Sequence, residues 1–217
     1  MTARETVLAR VREALADLPA DRRTTTVPRE YLRHAPGLDP HDHDAVVSLF
    51  IERLKHYGAQ SHRVHAAALP DTIAAALRGR DAHSVIAPAG VPASWLAGWA
   101  AEPGNRVLSD DPQLSPAELD AVDAVVTGCA AAVADSGTVV LDGGPGQGRR
   151  APTLVPDCHI CVVRAEQIAS SIPEIIGLLD PQQPHTWFSG PSATVDIEMI
   201  RVQGVHGPRR LVVVIVE

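Results

Sequence analysis

The sequence predicts an α/β fold: a largely parallel central sheet flanked by helices, with an N-terminal helical segment. Short apolar segments alternate with amphipathic ones, as in folds whose parallel strands are connected by helices. The last segment, Leu211–Val216, has six consecutive apolar residues, which indicates a strand covered on both faces. The 217 residues, 45% of them hydrophobic, are enough for one domain with a substantial core.

The N-terminal helix is predicted by its cap and by one apolar face. Thr2 and Glu5 have the spacing of a capping box, in which each side chain accepts a backbone N–H of the other residue. Pro19, which cannot continue a helix, is predicted to end it. The apolar face consists of Leu8, Val11, Leu15 and Leu18.

Residues 20–42 are rich in arginine, threonine, proline and histidine and lack sustained periodicity. We interpret them as a surface linker with one short helix near Arg29–Arg33. The sequence therefore predicts two parts, an N-terminal helix and linker at 1–42 and an α/β domain at 43–217.

Helices and strands are predicted to alternate through the α/β domain. Val46, Phe50 and Leu54 indicate its first helix, which closes near Gly58. Further helices are predicted at Leu69–Leu77 and Pro92–Ala100, and helices starting at Ser115 and Ser171. Strands are predicted at Ser61–His65, His83–Ala87, Arg106–Leu108, Ala124–Gly128, Thr138–Leu141, Ile160–Val163, Thr186–Ser189 and Leu211–Val216.

The composition argues against nucleic acid and membranes as partners. The formal net charge is -7 at pH 7 and aromatic residues make up 3% of the chain, which disfavours both phosphate neutralisation and base stacking. Residues 1–18 carry charges throughout, so we expect neither a signal peptide nor a membrane span there. A cytoplasmic protein is therefore expected.

The three cysteines, Cys129, Cys158 and Cys161, predict no metal site. Their odd number gives no disulfide framework, and they are too few for a four-thiolate site. Cys158 and Cys161 have the spacing of a redox or metal motif, but they lie in an apolar, strand-like segment. Residues three apart on a strand point to opposite faces, so two separate thiols are expected.

A loop rich in glycine and arginine follows the predicted strand Thr138–Leu141. Glycine lets the backbone approach a ligand closely, and arginine pairs with phosphate or carboxylate through parallel hydrogen bonds. We interpret the loop as an anion-binding site, while an ordinary solvated connection would have a similar composition. Its candidate ligand-binding residues are Gly144, Gly146, Gly148, Arg149 and Arg150.

Two more polar clusters follow predicted strands, where ligands bind in open α/β sheets. Thr127 and Gly128 end one strand, and Ser192 and Thr194 follow another. Their hydroxyl and N–H groups are suited to the same small carboxylate or phosphate ligand. We therefore expect all three clusters to meet at the carboxyl edge of one sheet.

Asp135, Glu198 and His206 are the candidate catalytic residues. A carboxylate can move a proton or attack as a nucleophile, although capping and ion pairing are its commoner roles. His206 lies in a tight turn, where it can act as acid, base or ligand, or simply bond to neighbouring backbone.

These clusters together resemble the LUD-domain family. The resemblance extends from Val122 to the C-terminus and implies a fold similar to the glucosamine-6-phosphate deaminase, ribose-5-phosphate isomerase and CoA-transferase group. The segments that carry it are 126–129, 134–141, 144–150, 154–157, 189–194, 196–198 and 204–209.

The family resemblance also implies a role in bacterial L-lactate oxidation to pyruvate, together with two iron–sulfur partner proteins. The iron–sulfur clusters belong to those partner proteins, so no iron–sulfur cluster is expected on this chain. The resemblance leaves this chain's own chemical step and any other cofactor open.

Three functions follow as hypotheses. The first is a component of L-lactate oxidation that uses the anion site. The second is a free-standing CoA-transferase-like or sugar-phosphate-type enzyme, with Asp135 or Glu198 as nucleophile or base. The third is a non-catalytic adaptor for redox partners.

Overall fold

The structure, a computed structural model, describes residues 2–17, 19, 26–194 and 202–217. The chain forms two compact units, Met1–Tyr31 and Leu32–Glu217. No helix in the described ranges is both long and apolar enough to span a membrane.

Helix α1, Ala3–Ala14, lies in the first unit and has the predicted capping box. The Thr2 N–H donates to Glu5 Oε2 at 2.7 Å, and the Glu5 N–H donates to Thr2 Oγ1 at 3.3 Å. The helix ends earlier than predicted because its last turn tightens, with the Ala16 N–H bonded to Glu13 O. Leu18 lies outside the described residues.

The predicted short helix near 29–33 is wrong, since residues 26–33 contain no helix. The segment that follows is held by side chains far along the chain. Ser171 Oγ donates to Arg33 O at 2.7 Å, and the Ala35 N–H donates to Ser170 Oγ at 3.2 Å. Local sequence does not reveal such long-range bonds.

Helices and strands of the second unit lie close to their predicted positions, and several segments were not predicted. Its α-helices are α2 (His43–His56), α3 (Leu69–Arg78), α4 (Ala97–Ala100), α5 (Pro116–Asp120) and α6 (Ile172–Ile176). Its strands are β1 (Gln60–Val64), β2 (Ser84–Ile86), β3 (Arg106–Leu108), β4 (Ala124–Thr127), β5 (Ala131–Val133), β6 (Thr138–Leu141), β7 (Cys158–Arg164), β8 (Ile168–Ala169), β9 (Thr186–Phe188), β10 (Ala193–Thr194), β11 (Val202–Gln203) and β12 (Arg210–Val216). Short 3₁₀ helices occupy 66–68, 93–95, 151–153 and 165–167.

The main sheet has six strands in the order β1-β12-β7-β4-β2-β3, and every neighbouring pair is parallel. This confirms the predicted parallel sheet flanked by helices. Strand β12 lies between β1 and β7, and Leu211–Ile215 are all buried. Burial on both faces explains the uninterrupted apolar run of the last strand.

Two apolar clusters cover the faces of this sheet. On one face, Phe50 and Leu54 of α2 pack with Cys161, Val163 and other strand residues. The other face is covered mainly by α3 and α4. The sheet is therefore the middle layer of the domain.

A second sheet, in the order β8-β5-β6-β9, was not predicted. Strands β5 and β6 form an antiparallel hairpin, and β6 also pairs antiparallel with β9. The expectation that all polar clusters follow strands of one parallel sheet is therefore wrong. Strand β5 has three residues, too few to show a period, and sheet membership depends on pairing between distant segments.

Candidate functional site

The glycine-rich loop closes the carboxyl edge of the main sheet between β2 and β4. The Gly146 N–H donates to Ala89 O at 2.8 Å, and the Gly128 N–H donates to Gly146 O at 2.9 Å. Ala89 follows β2 and Gly128 follows β4, so Gly146 connects the ends of two adjacent strands. We call residues 142–148 the glycine plug.

Close packing explains the glycines of the plug. A Cβ on Gly90 would lie 2.5 Å from Gly146 N, and a Cβ on Gly148 would lie 2.9 Å from Pro88 Cβ. Both glycines have positive φ, 95° and 69°, which residues with a side chain rarely adopt. Glycine is required here for contact within the protein.

Three N–H groups of the plug, those of Asp142, Gly144 and Gln147, have partners within it. The Gly144 N–H donates to Asp142 Oδ1 at 2.9 Å, and the Gln147 N–H donates to Gly144 O at 3.1 Å. The buried Gln147 side chain accepts the Asp142 N–H at 2.7 Å. These groups stabilise the loop itself.

Arg149 is likewise bonded inside the protein. Its guanidinium donates to both carboxylate oxygens of Asp110, at 2.6 and 2.9 Å, and to Leu114 O at 2.8 Å. Arg149 hydrogen bonding holds the pKa of Asp110 below its ordinary value, although burial acts in the opposite direction. This two-point ion pair anchors the start of the segment after the plug.

Arg150, the next residue, lies in a cleft of about 360 Å³ on the α2 side of the main sheet. This volume is within the range of small-ligand sites. The polar groups of the cleft include Arg150, His159, Ser192 and His206, and an aromatic wall comes from β9. We call it the His159 cleft, and it is lined in part by Arg150, His159, Trp187, Phe188, Ser192 and His206.

Ser192 and His206 are held together by hydrogen bonds between their loops. The His206 N–H donates to Ser192 Oγ at 3.0 Å, and the Ser192 N–H donates to Pro208 O at 2.8 Å. The Gly204 N–H donates to Ser192 O at 3.0 Å. This pairing places two of the predicted site residues in the same cleft as Arg150.

His159, on β7, is a site residue that sequence reasoning missed. Its side chain is buried, Nε2 lies 2.8 Å from Thr127 Oγ1, and the ring lies 5.2 Å from the Phe188 ring. Burial lowers the pKa of His159 from 6.5 to about 4, so the imidazole is neutral at pH 7. A histidine within the apolar segment 158–163 was the available signal.

The other predicted site residues that the structure describes do not line the cleft. Thr127 is buried beneath the cleft, whereas Asp135 is exposed in the turn between β5 and β6. Thr194 lies on β10, opposite Val202 of β11. Glu198 lies outside the described residues. Of the predicted set, Arg150, Ser192 and His206 share the His159 cleft, and Thr127 contacts its floor through His159.

The three cysteines are free thiols. Cys158 and Cys161 pack into the clusters on opposite faces of the main sheet, which confirms that β7 separates them. Cys161 lies beside Cys129; hydrogen bonding between the two thiols, with burial, raises the pKa of Cys129 well above its ordinary value. Across the ranges that the structure describes, no group of three or more His, Cys, Asp or Glu could hold a metal ion.

Comparison with known proteins identifies the family. The model of the LUD domain matches residues 47–216. The chain belongs to the LUD domain family. The match begins well before Val122, within α2, and so includes nearly the whole α/β unit.

Two named relatives and one solved structure are similar to this chain over 39% to 81% of its length. Lactate utilization protein C of Deinococcus radiodurans is 50% identical over 175 residues, 79% of each chain. Lactate utilization protein C of Halalkalibacterium halodurans is 34% identical over 93 residues, 39% of this chain and 40% of that protein. A crystal structure of a DUF162 family protein from D. radiodurans has a TM-score of 0.67 and 43% identity, covering 81% of this chain and 99% of that one.

Proposed function

We propose that this protein acts in lactate utilisation, as a component of L-lactate oxidation to pyruvate that works with iron–sulfur partner proteins in the cytoplasm. The observation that carries this proposal is the 50% identity, over 79% of both chains, to a protein named lactate utilization protein C. The proposal assigns the iron–sulfur clusters to the partners.

The proposed ligand site is the His159 cleft, and its ligand is a small carboxylate. Arg150 is exposed and supplies a guanidinium fork, while Ser192 and His206 add polar groups from the facing loops. Arg149 is already paired with Asp110. We therefore centre the anion site on Arg150, with the glycine plug as the support that positions it.

The role in lactate oxidation is tested by reconstitution with the two iron–sulfur partners. Lactate-dependent reduction of a dye acceptor is measured with and without this chain. We expect the rate to fall to background when the chain is omitted. An unchanged rate would refute the proposed function.

The carboxylate site is tested separately, by calorimetric titration of the purified chain with L-lactate. Binding should be lost in Arg150→Gln and retained in Arg164→Gln. Arg164 is a suitable control because it is an exposed arginine paired with Glu166. Equal binding by the two variants would contradict the site. If only an adaptor role holds, omission abolishes the reconstituted rate while Arg150→Gln leaves it unchanged.

The candidate catalytic acids Asp135 and Glu198 remain predictions, as does the likeness to the CoA-transferase group. A transferase-like reaction would form a covalent adduct on one of the two carboxylates. Mass spectrometry of the chain after incubation with acyl-CoA tests this. Adduct formation that Asp135→Ala or Glu198→Ala abolishes would support that second chemistry.

A further inference from the structure

A second cavity, of about 690 Å³, lies at the amino edge of the main sheet. Cys158 and Arg210, the first residues of β7 and β12, line it. It adjoins the His159 cleft, with which it shares His206 and Gly207 as lining residues. We call it the arginine cavity, after the three arginines that line it, Arg80, Arg209 and Arg210.

Strand register brings two of these arginines to the same side of the sheet. Arg210 is paired with Cys158, and paired residues of parallel strands point to the same face. Cys158 packs into the cluster that α3 covers, so Arg210 belongs to that face. Arg80, which follows α3, donates from Nη2 to Gln60 Oε1 at 2.8 Å. Gln60 begins β1, the strand beside β12, so Arg80 reaches the amino edge next to Arg210.

The thiol of Cys158 supports this convergence. Burial raises the pKa of Cys158 to about 11, and the positive charges of Arg80 and Arg210 act in the opposite direction. Both guanidinium groups therefore lie near enough to influence the same buried thiol.

One aspartate of the cavity is shared by two arginines. Asp157 forms an ion pair with Arg209 through Nε, and its other oxygen lies 4.0 Å from Nε of Arg210. The closer of the two contacts is the one with Arg209. Arg210 is exposed and, at the longer distance, keeps N–H donors for another acceptor.

Asp120 and Asp123 complete a formal balance of three aspartates against three arginines, but neither pairs with Arg80. Asp123 Oδ2 instead accepts the backbone N–H groups of His83 and Ser84, at 2.9 and 2.8 Å. Asp120 is exposed at the end of α5. Among the residues that the structure describes, no carboxylate oxygen lies within 4.0 Å of an Arg80 nitrogen. The charge of Arg80 is therefore available to an anion from solution.

The arrangement of the cavity suits phosphate better than carboxylate. A phosphate group carries up to two negative charges and three terminal oxygens, so it can accept hydrogen bonds from two guanidinium groups at once. The volume of the cavity is within the range of small-ligand sites and exceeds that of inorganic phosphate. The cavity therefore has room for the organic part of a phosphate ester.

We infer that the arginine cavity binds the phosphate group of a small phosphate monoester, with Arg80 and Arg210 supplying the two guanidinium groups. Arg209, held by Asp157, borders this site. The site is distinct from the proposed carboxylate site at Arg150, which does not line the cavity. The inference therefore goes beyond the proposed function and does not depend on it.

Calorimetric titration of the full chain with inorganic phosphate, at pH 7 and constant ionic strength, tests the inference. Arg80→Gln and Arg210→Gln should each weaken binding by about tenfold or more, because each removes charge-assisted hydrogen bonds. Arg106→Gln is the matched control, since Arg106 is exposed on β3 and outside the cavity, and it should bind as the unaltered protein does. Absence of phosphate binding in the unaltered protein, or equal affinity in the three variants, would overturn the inference.

Two further titrations locate the anion and define its class. Arg150→Gln should bind phosphate as tightly as the unaltered protein does. If this variant lost phosphate binding while Arg80→Gln and Arg210→Gln kept it, the anion would lie in the His159 cleft and the inference would be wrong. Glycerol 3-phosphate should bind the unaltered protein at least as tightly as inorganic phosphate, and its failure to bind would also overturn the inference. If Arg80→Gln fails to fold, Arg210→Gln decides.

Discussion

The glycine plug and the His159 cleft differ in how their polar groups are used. Both contain residues that the sequence marks as ligand-binding candidates. In the plug, Gly144, Gly146 and Gln147 direct N–H groups to oxygens of the protein itself. In the cleft, polar groups line an open volume of about 360 Å³. A loop rich in glycine and arginine is therefore not in itself a ligand site.

Arg149 and Arg150 show this difference between adjacent residues. Arg149 has a two-point ion pair with Asp110, which leaves its guanidinium committed to the fold. Arg150 lines the cleft and is exposed. Whether an arginine in this loop is available to a ligand depends on its hydrogen-bond partners in the folded protein. A local sequence motif cannot specify those partners.

The largest expected effect is a loss of folding stability when Gly90, which packs against the plug, is replaced. Gly90→Ala should lower the free energy of unfolding by about 4 kcal/mol, because the new Cβ meets Gly146 N and φ is 95°. Urea denaturation measures the change. Gly98→Ala is the matched control: Gly98 lies in α4, has nothing within 4 Å of its added Cβ, and should be neutral or stabilising.

If Gly90→Ala were as stable as the Gly98 variant, the plug would be a loose loop. The N–H groups of the plug would then not be committed to the fold, and the contrast between the plug and the His159 cleft would be wrong. A loss confined to Gly90→Ala would show that the glycines maintain packing at the sheet edge.

The next largest effect is a loss of folding stability at acidic pH, caused by His159 in the cleft. Below pH 6.5 the unfolded chain binds a proton at His159, while the buried ring stays neutral down to about pH 4. The unfolded state then binds more protons, so stability falls as pH falls, by about 3 kcal/mol across this window. Besides His159, the described charged or titratable groups that line the cleft are Arg150 and His206.

Denaturation of the protein at several pH values between 7 and 4 measures this contribution. His159→Gln should remove its part of the slope, whereas His65→Gln, at an exposed position, should retain it. Identical slopes in the two variants would show that His159 titrates normally and is not shielded in the fold.

The sequence predicted the main elements well because their signals are local. The cap at Ser115 is confirmed by bonds to Glu118, and the apolar run at Leu211 forms the buried strand β12. Strands β10 and β11 have two residues each, which is too short for a periodic pattern. Pairing between Val139 and Phe188 then decides which sheet β6 joins.

The site could be predicted only in part, for a similar reason. Arg150, Ser192 and His206 were chosen for their residue types, and all three line the cleft. His159 was missed because an apolar strand around it is typical of core. The partner of Arg149 is Asp110, far along the chain, and its position depends on the fold.

A smaller loss of folding stability is expected when the ion pair between Asp110 and Arg149, which anchors the segment after the plug, is broken. Asp110→Ala should lower the free energy of unfolding by about 1–2 kcal/mol, because it leaves the half-buried Arg149 without its carboxylate. Glu166→Ala, which removes an exposed pair with Arg164, should change it by less than about 0.5 kcal/mol. Equal effects in urea denaturation would mean that the Asp110 pair is no stronger than a surface pair.

The smallest change in folding stability is expected when Arg150 is replaced. Arg150→Gln is expected to change the free energy of unfolding by less than about 0.5 kcal/mol, since an exposed guanidinium contributes little to folding. Arg149→Gln should lose about 1–2 kcal/mol in the same urea experiment, because its bonds to Asp110 and Leu114 are broken. If the two variants lost the same stability, Arg150 would belong to the structural framework as Arg149 does. A loss at Arg149 alone, with lactate binding lost at Arg150, would separate folding from ligand binding between two adjacent residues.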